Sequence, residues 1–137
     1  MRWLGFLLLW TTAAWADPAI LQAVNAERTA AGRAVLQYDA QLEAVARAHG
    51  EDMERAGFFS HTGSDGSDIG DRLRRGGVTV CFAAENIAQG QRNLTEVMRS
   101  WMGSRGHRRN ILHRRAETVG VARVSGNIWV MMLAAPC

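Results

Sequence analysis

The stretch that decides the fold class lies near the C-terminus, where residues 118–134 read TVGVARVSGNIWVMMLA. Two apolar runs rich in β-formers, 118–124 and 128–134, flank the triplet Ser125-Gly126-Asn127. Turn residues between two such runs are typical of a β-hairpin, because Gly and Asn readily adopt the backbone angles of a tight turn. The sequence therefore predicts two antiparallel strands joined by a short loop.

The first third of the chain reads as two helices. Asp17 followed by Pro18 predicts the start of a helix that ends at Gly32, because Asp caps a helix and Pro suits its first position. Asp39 predicts the N-cap of a second helix, which ends at Gly57. Apolar residues recur at helical spacing in both segments, so each helix is expected to bury one face.

The middle of the chain is rich in loop-forming residues. Residues 60–77 contain many Gly, Asp and Ser and predict a loop with at most a helical turn over 69–73. Residues 78–82 alternate and predict a short strand. Asn93, with Glu96 three residues later, is typical of a capping box that opens another helix. Helices, a loop-rich middle and a terminal hairpin together indicate an α+β domain.

Residues 1–16 have the layout of a secretory signal peptide. A positive start at Met1-Arg2 precedes an apolar run, and Ala14-Trp15-Ala16 forms a small-x-small cleavage pattern. The run is shorter than the roughly 20 residues that a membrane-spanning helix needs. We expect cleavage after Ala16, a mature domain of residues 17–137 without a transmembrane segment, and an extracytoplasmic location, periplasmic or secreted.

Length and charge exclude several classes of protein. A chain of 137 residues allows one domain and excludes a multidomain enzyme. Sixteen basic residues, all Arg, against 13 acidic ones are too balanced to predict a nucleic-acid partner. Cys81 and Cys137 are the two cysteines, and two cysteines in an exported protein are expected to form a disulfide.

Polar residues at predicted element ends are the candidates for chemistry. His61 and His107 each follow a predicted helix, and Glu85 stands beside Asn86 between apolar neighbours. Asn86 and Asn110 are interpreted as side chains that fix turns. His49 lies on the apolar stripe of the second helix and is expected to be a core residue. The sequence contains neither a zinc-protease H-E-x-x-H pattern nor a serine-hydrolase G-x-S-x-G pattern.

Five motifs in order carry a resemblance to a known family. They are Val24-Asn25-Ala26-Glu27-Arg28, the segment from His49 to His61, Ala84-Glu85-Asn86-Ile87-Ala88, the segment from Trp101 to Leu112, and Val119-Gly120-Val121. In this order and spacing they resemble the bacterial branch of the CAP superfamily (cysteine-rich secretory proteins, antigen 5 and pathogenesis-related 1 proteins), also called the SCP domain. The resemblance covers about residues 20–134.

The resemblance implies an α-β-α sandwich with a central cleft that holds two His and two acidic residues. His61 matches the first family His, Glu85 the Glu of the Glu-Asn-Ile motif, and His107 the second His. The nearest match to the second acidic residue is Ser104, so the set of four is incomplete. That departure puts a mechanism with two carboxylates in doubt.

Three roles for these residues stay open from the sequence. Two neutral imidazoles and one carboxylate, from His61, His107 and Glu85, can hold a divalent metal such as zinc with an open coordination position. Alternatively, Glu85 hydrogen-bonds one imidazole and fixes its tautomer. In the third interpretation, the residues form a buried hydrogen-bonded cluster that ties elements together.

The resemblance favours a non-enzymatic binding module with a small-molecule, lipid or cell-wall ligand. The alternative is a metal-assisted hydrolase that acts on peptide or peptidoglycan, with a metal-bound water as nucleophile. The incomplete set of acidic residues favours the binding module. A basic run beside His107 consists of Arg105, Arg108, Arg109, Arg114 and Arg115. Its charge could attract an anionic wall polymer or lipid head group. Alternatively, the run forms a solvated basic surface.

Overall fold

The computed structural model describes residues 17–137. The predicted signal peptide, residues 1–16, lies outside the described residues and stays a prediction. The elements are, in order, α1 (Pro18–Ala30), β1 (Gln37–Tyr38), α2 (Ala40–Ala56), α3 (Ile69–Arg75), β2 (Phe82–Gln89), α4 (Leu94–Met102), α5 (Arg105–Ile111), β3 (Thr118–Val124) and β4 (Ile128–Ala135). Within residues 17–137, no helix combines the length and the apolar character that a membrane crossing requires.

The strands form one four-stranded sheet in the order β1-β3-β4-β2. The C-terminal hairpin is confirmed, because β3 and β4 pair antiparallel from Val124 opposite Ile128. Gly126 and Asn127 occupy the left-handed backbone region in the connecting loop, as the turn residues predicted. β2 pairs antiparallel with the other edge of β4, and β1 pairs parallel with β3.

Helices cover both faces of this sheet, which confirms the α-β-α sandwich. Every residue of β4 is buried, and alternate side chains enter two separate apolar layers. Trp129 and Leu133 pack in the layer that contains α1, α4 and α5, whereas Val130 and Met132 pack in the layer of α2 and α3. The central strand therefore reads as a continuous hydrophobic run.

A glycine on β3 allows α2 to approach the sheet closely. A Cβ atom added at Gly120 would lie 2.2 Å from the backbone nitrogen of Glu43, a distance that no side chain tolerates. The start of α2 is fixed by Asp39, whose side chain accepts hydrogen bonds from the backbone N–H groups of Gln41 and Leu42. Helix α2 ends at Gly57, as predicted, with a left-handed backbone at that residue.

In the middle of the chain, one predicted strand has the wrong bounds and one helix was not predicted. The strand expected over 78–82 instead spans Phe82–Gln89, because pairing along β4 extends through the weak strand-formers around Ala84. Helix α5 was not predicted, since its polar sequence has no apolar stripe of helical period. His107 lies inside α5, and Glu85 lies inside β2 rather than at its end.

The disulfide between Cys81 and Cys137 is present, as expected from the two cysteines. Cys81 precedes β2, and its backbone N–H donates to the carbonyl oxygen of Ala135 at the end of β4. The bond therefore ties the last residue of the chain to the start of β2. In the entropic model, closing a loop of this length stabilises the fold by about 4 kcal/mol at most.

Candidate functional site

The carboxylate of Glu85 is the centre of a buried polar cluster. Strand β2 places this side chain where it is almost completely removed from solvent. Its Oε1 lies 2.8 Å from Nδ1 of His61, and its Oε2 accepts a hydrogen bond of 2.8 Å from Nη2 of Arg72. A buried carboxylate requires such partners, because desolvation of an unpaired charge is costly. Both oxygens of Glu85 are therefore already engaged.

The imidazole of His61 extends from this buried pair to the protein surface. Its side chain is 60% exposed, against 3% for that of Glu85. Because a carboxylate only accepts, Nδ1 of His61 carries the proton in this contact, and Nε2 of the neutral ring keeps a free lone pair. Arg72 also donates from Nη1 to the carbonyl oxygen of His61, at 2.8 Å, so the histidine is fixed through both side chain and backbone.

His49 is buried, as expected, but it also borders the cluster. Its Nε2 donates to the carbonyl oxygen of Ser60 at 2.8 Å and lies 3.9 Å from Oε1 of Glu85. Burial lowers the pKa of His49, and the negative charge of Glu85 offsets that effect only in part. The ring is therefore neutral near pH 7. Its Nδ1 is buried and has no hydrogen-bond partner in the protein.

Two asparagines attach α5 to β2 and bring His107 to the cluster. The side chain of Asn86 donates to the carbonyl oxygen of His107 at 3.1 Å, and Asn110 donates to the side-chain oxygen of Asn86 at 2.9 Å. The prediction that these asparagines fix turns is wrong, since they bridge a strand and a helix. Burial, and then the nearby His61, lower the pKa of His107.

Ser104 contributes no charge where the family's second acidic residue is expected. It occupies the N-cap position of α5, and its side chain makes no capping hydrogen bond. The cluster therefore contains one carboxylate, that of Glu85, together with His61 and His107, and His49 borders it.

The predicted metal ligands do not form a complete set of donors. Among residues 17–137, no group of three His, Cys, Asp or Glu side chains is arranged to hold a metal ion. The positively charged Arg72 already neutralises Glu85, which leaves the imidazoles of His61 and His107 as donors. The donor set thus falls short of the three protein ligands of catalytic zinc sites. Zinc binding by His61, His107 and Glu85 stays a prediction.

Arg72 is the residue of the cluster that sequence reasoning missed. It lies on the short helix α3, where Arg74 and Arg75 follow it and are largely exposed. A weak signal was available, because Arg72 is three residues after Ile69 and next to Leu73 on a helix with few apolar positions. Only the packing of α3 against β2 shows which of the three arginines is buried.

A cavity of about 580 Å³ lies beside the cluster, between α2 and the segment 64–76. His49 and Arg72 line this cavity as well as bordering Glu85. None of His61, Glu85 and His107 lines it. The two features are therefore neighbours that share residues, rather than one continuous cleft.

Comparison with known proteins agrees with this architecture. The model of the cysteine-rich secretory protein family, CAP, matches residues 21–133. The uncharacterized protein YkwD of Bacillus subtilis (strain 168) is 39% identical over 114 residues, which are 82% of this chain and 44% of that protein. The chain thus spans less than half the length of this curated relative.

Solved structures show the same fold. An extracellular protein containing a SCP domain from Bacillus anthracis str. Ames is 30% identical, with a TM-score of 0.82 over 86% of this chain and 39% of that chain. An outer surface protein from Borrelia burgdorferi is 19% identical, with a TM-score of 0.81 over 88% of this chain and 92% of that chain. The family match over most of the chain, on a fold shared with these proteins, shows that the chain belongs to the cysteine-rich secretory protein family, CAP.

Proposed function

We propose that this protein is a non-enzymatic extracytoplasmic binding module whose recognition face is formed by the imidazoles of His61 and His107. The observation that carries the proposal is the state of Glu85, whose two carboxylate oxygens are occupied by His61 and Arg72. A carboxylate in this state orients an imidazole, and because its side chain is 3% exposed it is shielded from a substrate. The exposed Nε2 edge of His61 is therefore the part of the cluster that a ligand reaches.

The same contact argues against the hydrolase alternative. A general base must contact the water or substrate whose proton it takes, whereas the side chain of Glu85 is 3% exposed and paired with Arg72. Ser104 supplies no second carboxylate. Two imidazoles also provide fewer ligands than the three that hold zinc in hydrolases. The residues present therefore fit binding better than turnover of peptide or peptidoglycan.

A divalent metal remains a candidate ligand of this face. His107 is neutral near pH 7 because burial lowers its pKa, and a neutral imidazole is the form that binds metal. The contact between Glu85 and Nδ1 of His61 is the kind that fixes the tautomer of a metal-binding histidine. His61 and His107 would hold the metal, and Glu85 would orient His61.

An anionic small-molecule, lipid or cell-wall ligand is the other candidate. Five arginines in and after α5 are exposed, and they are Arg105, Arg108, Arg109, Arg114 and Arg115. Within the part of the chain that the structure describes, none of these arginines forms an ion pair with a carboxylate. Their uncompensated charge would attract an anion toward His107.

An extracytoplasmic location is supported by the predicted signal peptide and by the relatives. The similar proteins from Bacillus anthracis and Borrelia burgdorferi are described as extracellular and as an outer surface protein. Intact-mass measurement of protein recovered outside the cytoplasm should give residues 17–137. Retention of residues 1–16 in that fraction would contradict cleavage.

Zinc titration by calorimetry tests the recognition face. At about pH 7.5, H61A and H107A should each abolish zinc binding, because one imidazole is a poor site, whereas H113A should bind as the unsubstituted protein does. E85Q should weaken binding by about 10–100-fold, as for a residue that orients a ligand. Equal loss in H113A, or no zinc heat in the unsubstituted protein, would contradict metal binding at this face.

Turnover assays separate the two functional classes. We expect no hydrolysis of peptide or peptidoglycan by the purified protein, with or without added zinc. Hydrolysis that a chelator stops and that H61A lacks would replace the binding module by the metal-assisted hydrolase.

A further inference from the structure

The charges of the protein are divided between the two helical layers. Residues 97–116 contain six arginines and no Asp or Glu, whereas residues 39–77 contain five arginines and eight acidic residues. The first stretch forms most of α4 and all of α5, and the second forms α2 and α3. Because these pairs of helices cover opposite faces of the sheet, the molecule has a basic side, with α4 and α5, and an acidic side, with α2 and α3.

Three arginines form a stripe on the outer face of α5. Arg108 and Arg109 follow Arg105 by three and four residues, a spacing that places side chains on one face of a helix. All three are exposed. The opposite face of α5 carries Ile111, which is buried, and Asn110, whose side chain reaches the carbonyl oxygen of Glu85 on β2. The arginine stripe therefore points away from the sheet.

The charge of the basic side is not neutralised within the described chain, residues 17–137. All six arginines of residues 97–116 are exposed, and none of them takes part in an ion pair. By contrast, each of the five arginines in residues 39–77 pairs with a carboxylate. Like charges three or four residues apart slightly destabilise a helix, so the stripe does not serve the stability of α5. An anionic partner would remove that repulsion.

An exposed apolar side chain lies at the border of the basic side. Val35 is 56% exposed and belongs to the loop between α1 and β1. Arg33 of this loop donates from Nε to the carbonyl oxygen of Leu112, at 2.9 Å, just after the end of α5. Arg28 on α1 holds the loop through the carbonyl oxygen of Ala34, at 2.7 Å. The loop that carries Val35 is therefore fixed beside the C-terminal end of α5.

This combination of charges and an apolar side chain favours a lipid surface over a soluble polyanion. Guanidinium groups bind phosphate through paired N–H donors, and both kinds of partner offer phosphate. Only a phospholipid surface also offers an apolar layer beneath the phosphates, which an exposed Val35 can enter. The arginine stripe projects from a helix face and does not line the cavity beside α2, so many head groups suit it better than one small anion.

We propose that the basic side docks the protein on an anionic phospholipid surface, with the arginine stripe bound to phosphate groups and Val35 in contact with the apolar layer beneath them. The acidic side then faces away from the lipid, which fixes the orientation of the molecule. This surface goes beyond the recognition face proposed above, because His107 lies three residues before Asn110 on the inner face of α5. Docking requires no metal or ligand at His61.

Sedimentation of the oxidised protein with lipid vesicles tests the proposal. The protein should bind vesicles made of equal parts phosphatidylglycerol and phosphatidylcholine, and should not bind phosphatidylcholine alone. Binding should be lost at an ionic strength of about 1 M, where charges are screened beyond about 3 Å. H61A should bind as the unsubstituted protein does, so failure of the recognition face leaves this test intact. Equal binding to both kinds of vesicle would overturn the proposal.

Charge variants test the location of the docking surface. R105Q/R109Q should weaken binding to the anionic vesicles by about 30-fold, because each arginine near an anionic surface contributes to the attraction. The matched control is R55Q/R74Q, which removes two exposed arginines from the acidic side and should bind as the unsubstituted protein does. All four side chains are exposed, so both variants should fold. Equal affinity of the two variants would place the contact elsewhere and contradict the assignment.

An apolar variant distinguishes a lipid surface from a soluble polyanion. V35N should weaken vesicle binding by about fivefold, because Val35 no longer gains from the apolar layer, and should bind soluble polyphosphate as the unsubstituted protein does. F59N is the control, since Phe59 is 47% exposed and lies outside the loop that contacts α5. Equal vesicle affinity of V35N and F59N would indicate a partner that offers phosphate alone, and would overturn the lipid assignment.

Discussion

Two buried arginines, one in each apolar layer, illustrate different uses of the same side chain. Arg28 on α1 is 1% exposed and donates only to backbone carbonyls, those of Ala34, Ile111, His113 and Ala116. Arg72 on α3 is 8% exposed and combines carbonyl contacts with an ion pair to Glu85. Each of these guanidinium groups joins segments that are distant in sequence.

The two arginines differ in whether every buried nitrogen of the side chain has a hydrogen-bond partner. Arg28 leaves no buried nitrogen without a partner, and it closes the layer of α1, α4 and α5. Arg72 leaves its Nε unmatched beside a cavity and neutralises a carboxylate that holds an exposed histidine. Arg72 therefore borders the candidate site, whereas Arg28 serves the packing of the opposite layer. The comparison therefore separates a structural cluster from a candidate site.

The largest effect is expected for R28M. The substitution removes the guanidinium donor from four carbonyl oxygens, of which, within residues 17–137, only that of His113 keeps a hydrogen bond, from the backbone N–H of Ala116. It should lower the free energy of unfolding by about 4 kcal/mol. Urea denaturation measures the loss. The control is R109M, which alters an exposed arginine on α5. A loss below about 1 kcal/mol for R28M would show that water replaces the guanidinium easily.

A smaller loss is expected for R72M, because the neighbouring cavity admits water. Removing the partner of buried Glu85 should cost about 3 kcal/mol, whereas R74M on the exposed side of α3 should cost almost nothing. The double variant R72M/E85Q should be more stable than the sum of the single losses predicts, since it leaves no unpaired charge. Strictly additive losses in denaturation experiments would contradict the ion pair.

The pH dependence of the free energy of unfolding should reflect the lowered pKa values of His49 and His107. Burial lowers the pKa values of His49 and His107 in the folded protein below the value of about 6.5 in the unfolded chain. The unfolded chain therefore binds more protons just below pH 6.5. Stability that is fully present above that pH should decrease as the pH falls toward about 5.

Denaturation midpoints across this range measure the slope. The slope should be smaller in H107F, which lacks one of the two groups, than in the unsubstituted protein. An identical slope in H107F would show that His107 does not contribute.

The smallest effect is expected at the cavity wall. D52N removes the charge that accepts two hydrogen bonds from Ser64 and should destabilise the protein by about 1 kcal/mol. The neighbouring substitution E51Q changes an exposed residue of the same helix and serves as the control. Thermal denaturation should distinguish them. Equal stability of the two variants would show that segment 64–76 does not need Asp52 to hold the wall.

Much of the secondary structure could be predicted from the sequence, because helix caps and turn residues act locally along the chain. Asp17 and Asp39 cap the helices that they predicted, and the Ser125-Gly126-Asn127 turn joins the predicted strands. The resemblance to the CAP family also supplied His61, Glu85 and His107, of which the structure joins the first two directly. It places His107 near them through Asn86.

The sequence by itself determined the α+β class, the helix caps, the hairpin and the pair of cysteines, since caps, turns and periodic apolar residues act within a few positions of the chain. The sandwich and the candidate residues His61, Glu85 and His107 came from the resemblance of its motifs to the CAP family. Only the tertiary structure decided that Phe82–Gln89 forms β2, because its partner β4 lies far away along the chain. It also decided that Arg72 is the arginine that neutralises Glu85 and that His49 and Arg72 share a cavity. A buried charge takes its partner from whatever side chain the packing brings within reach, and no local pattern encodes that distance.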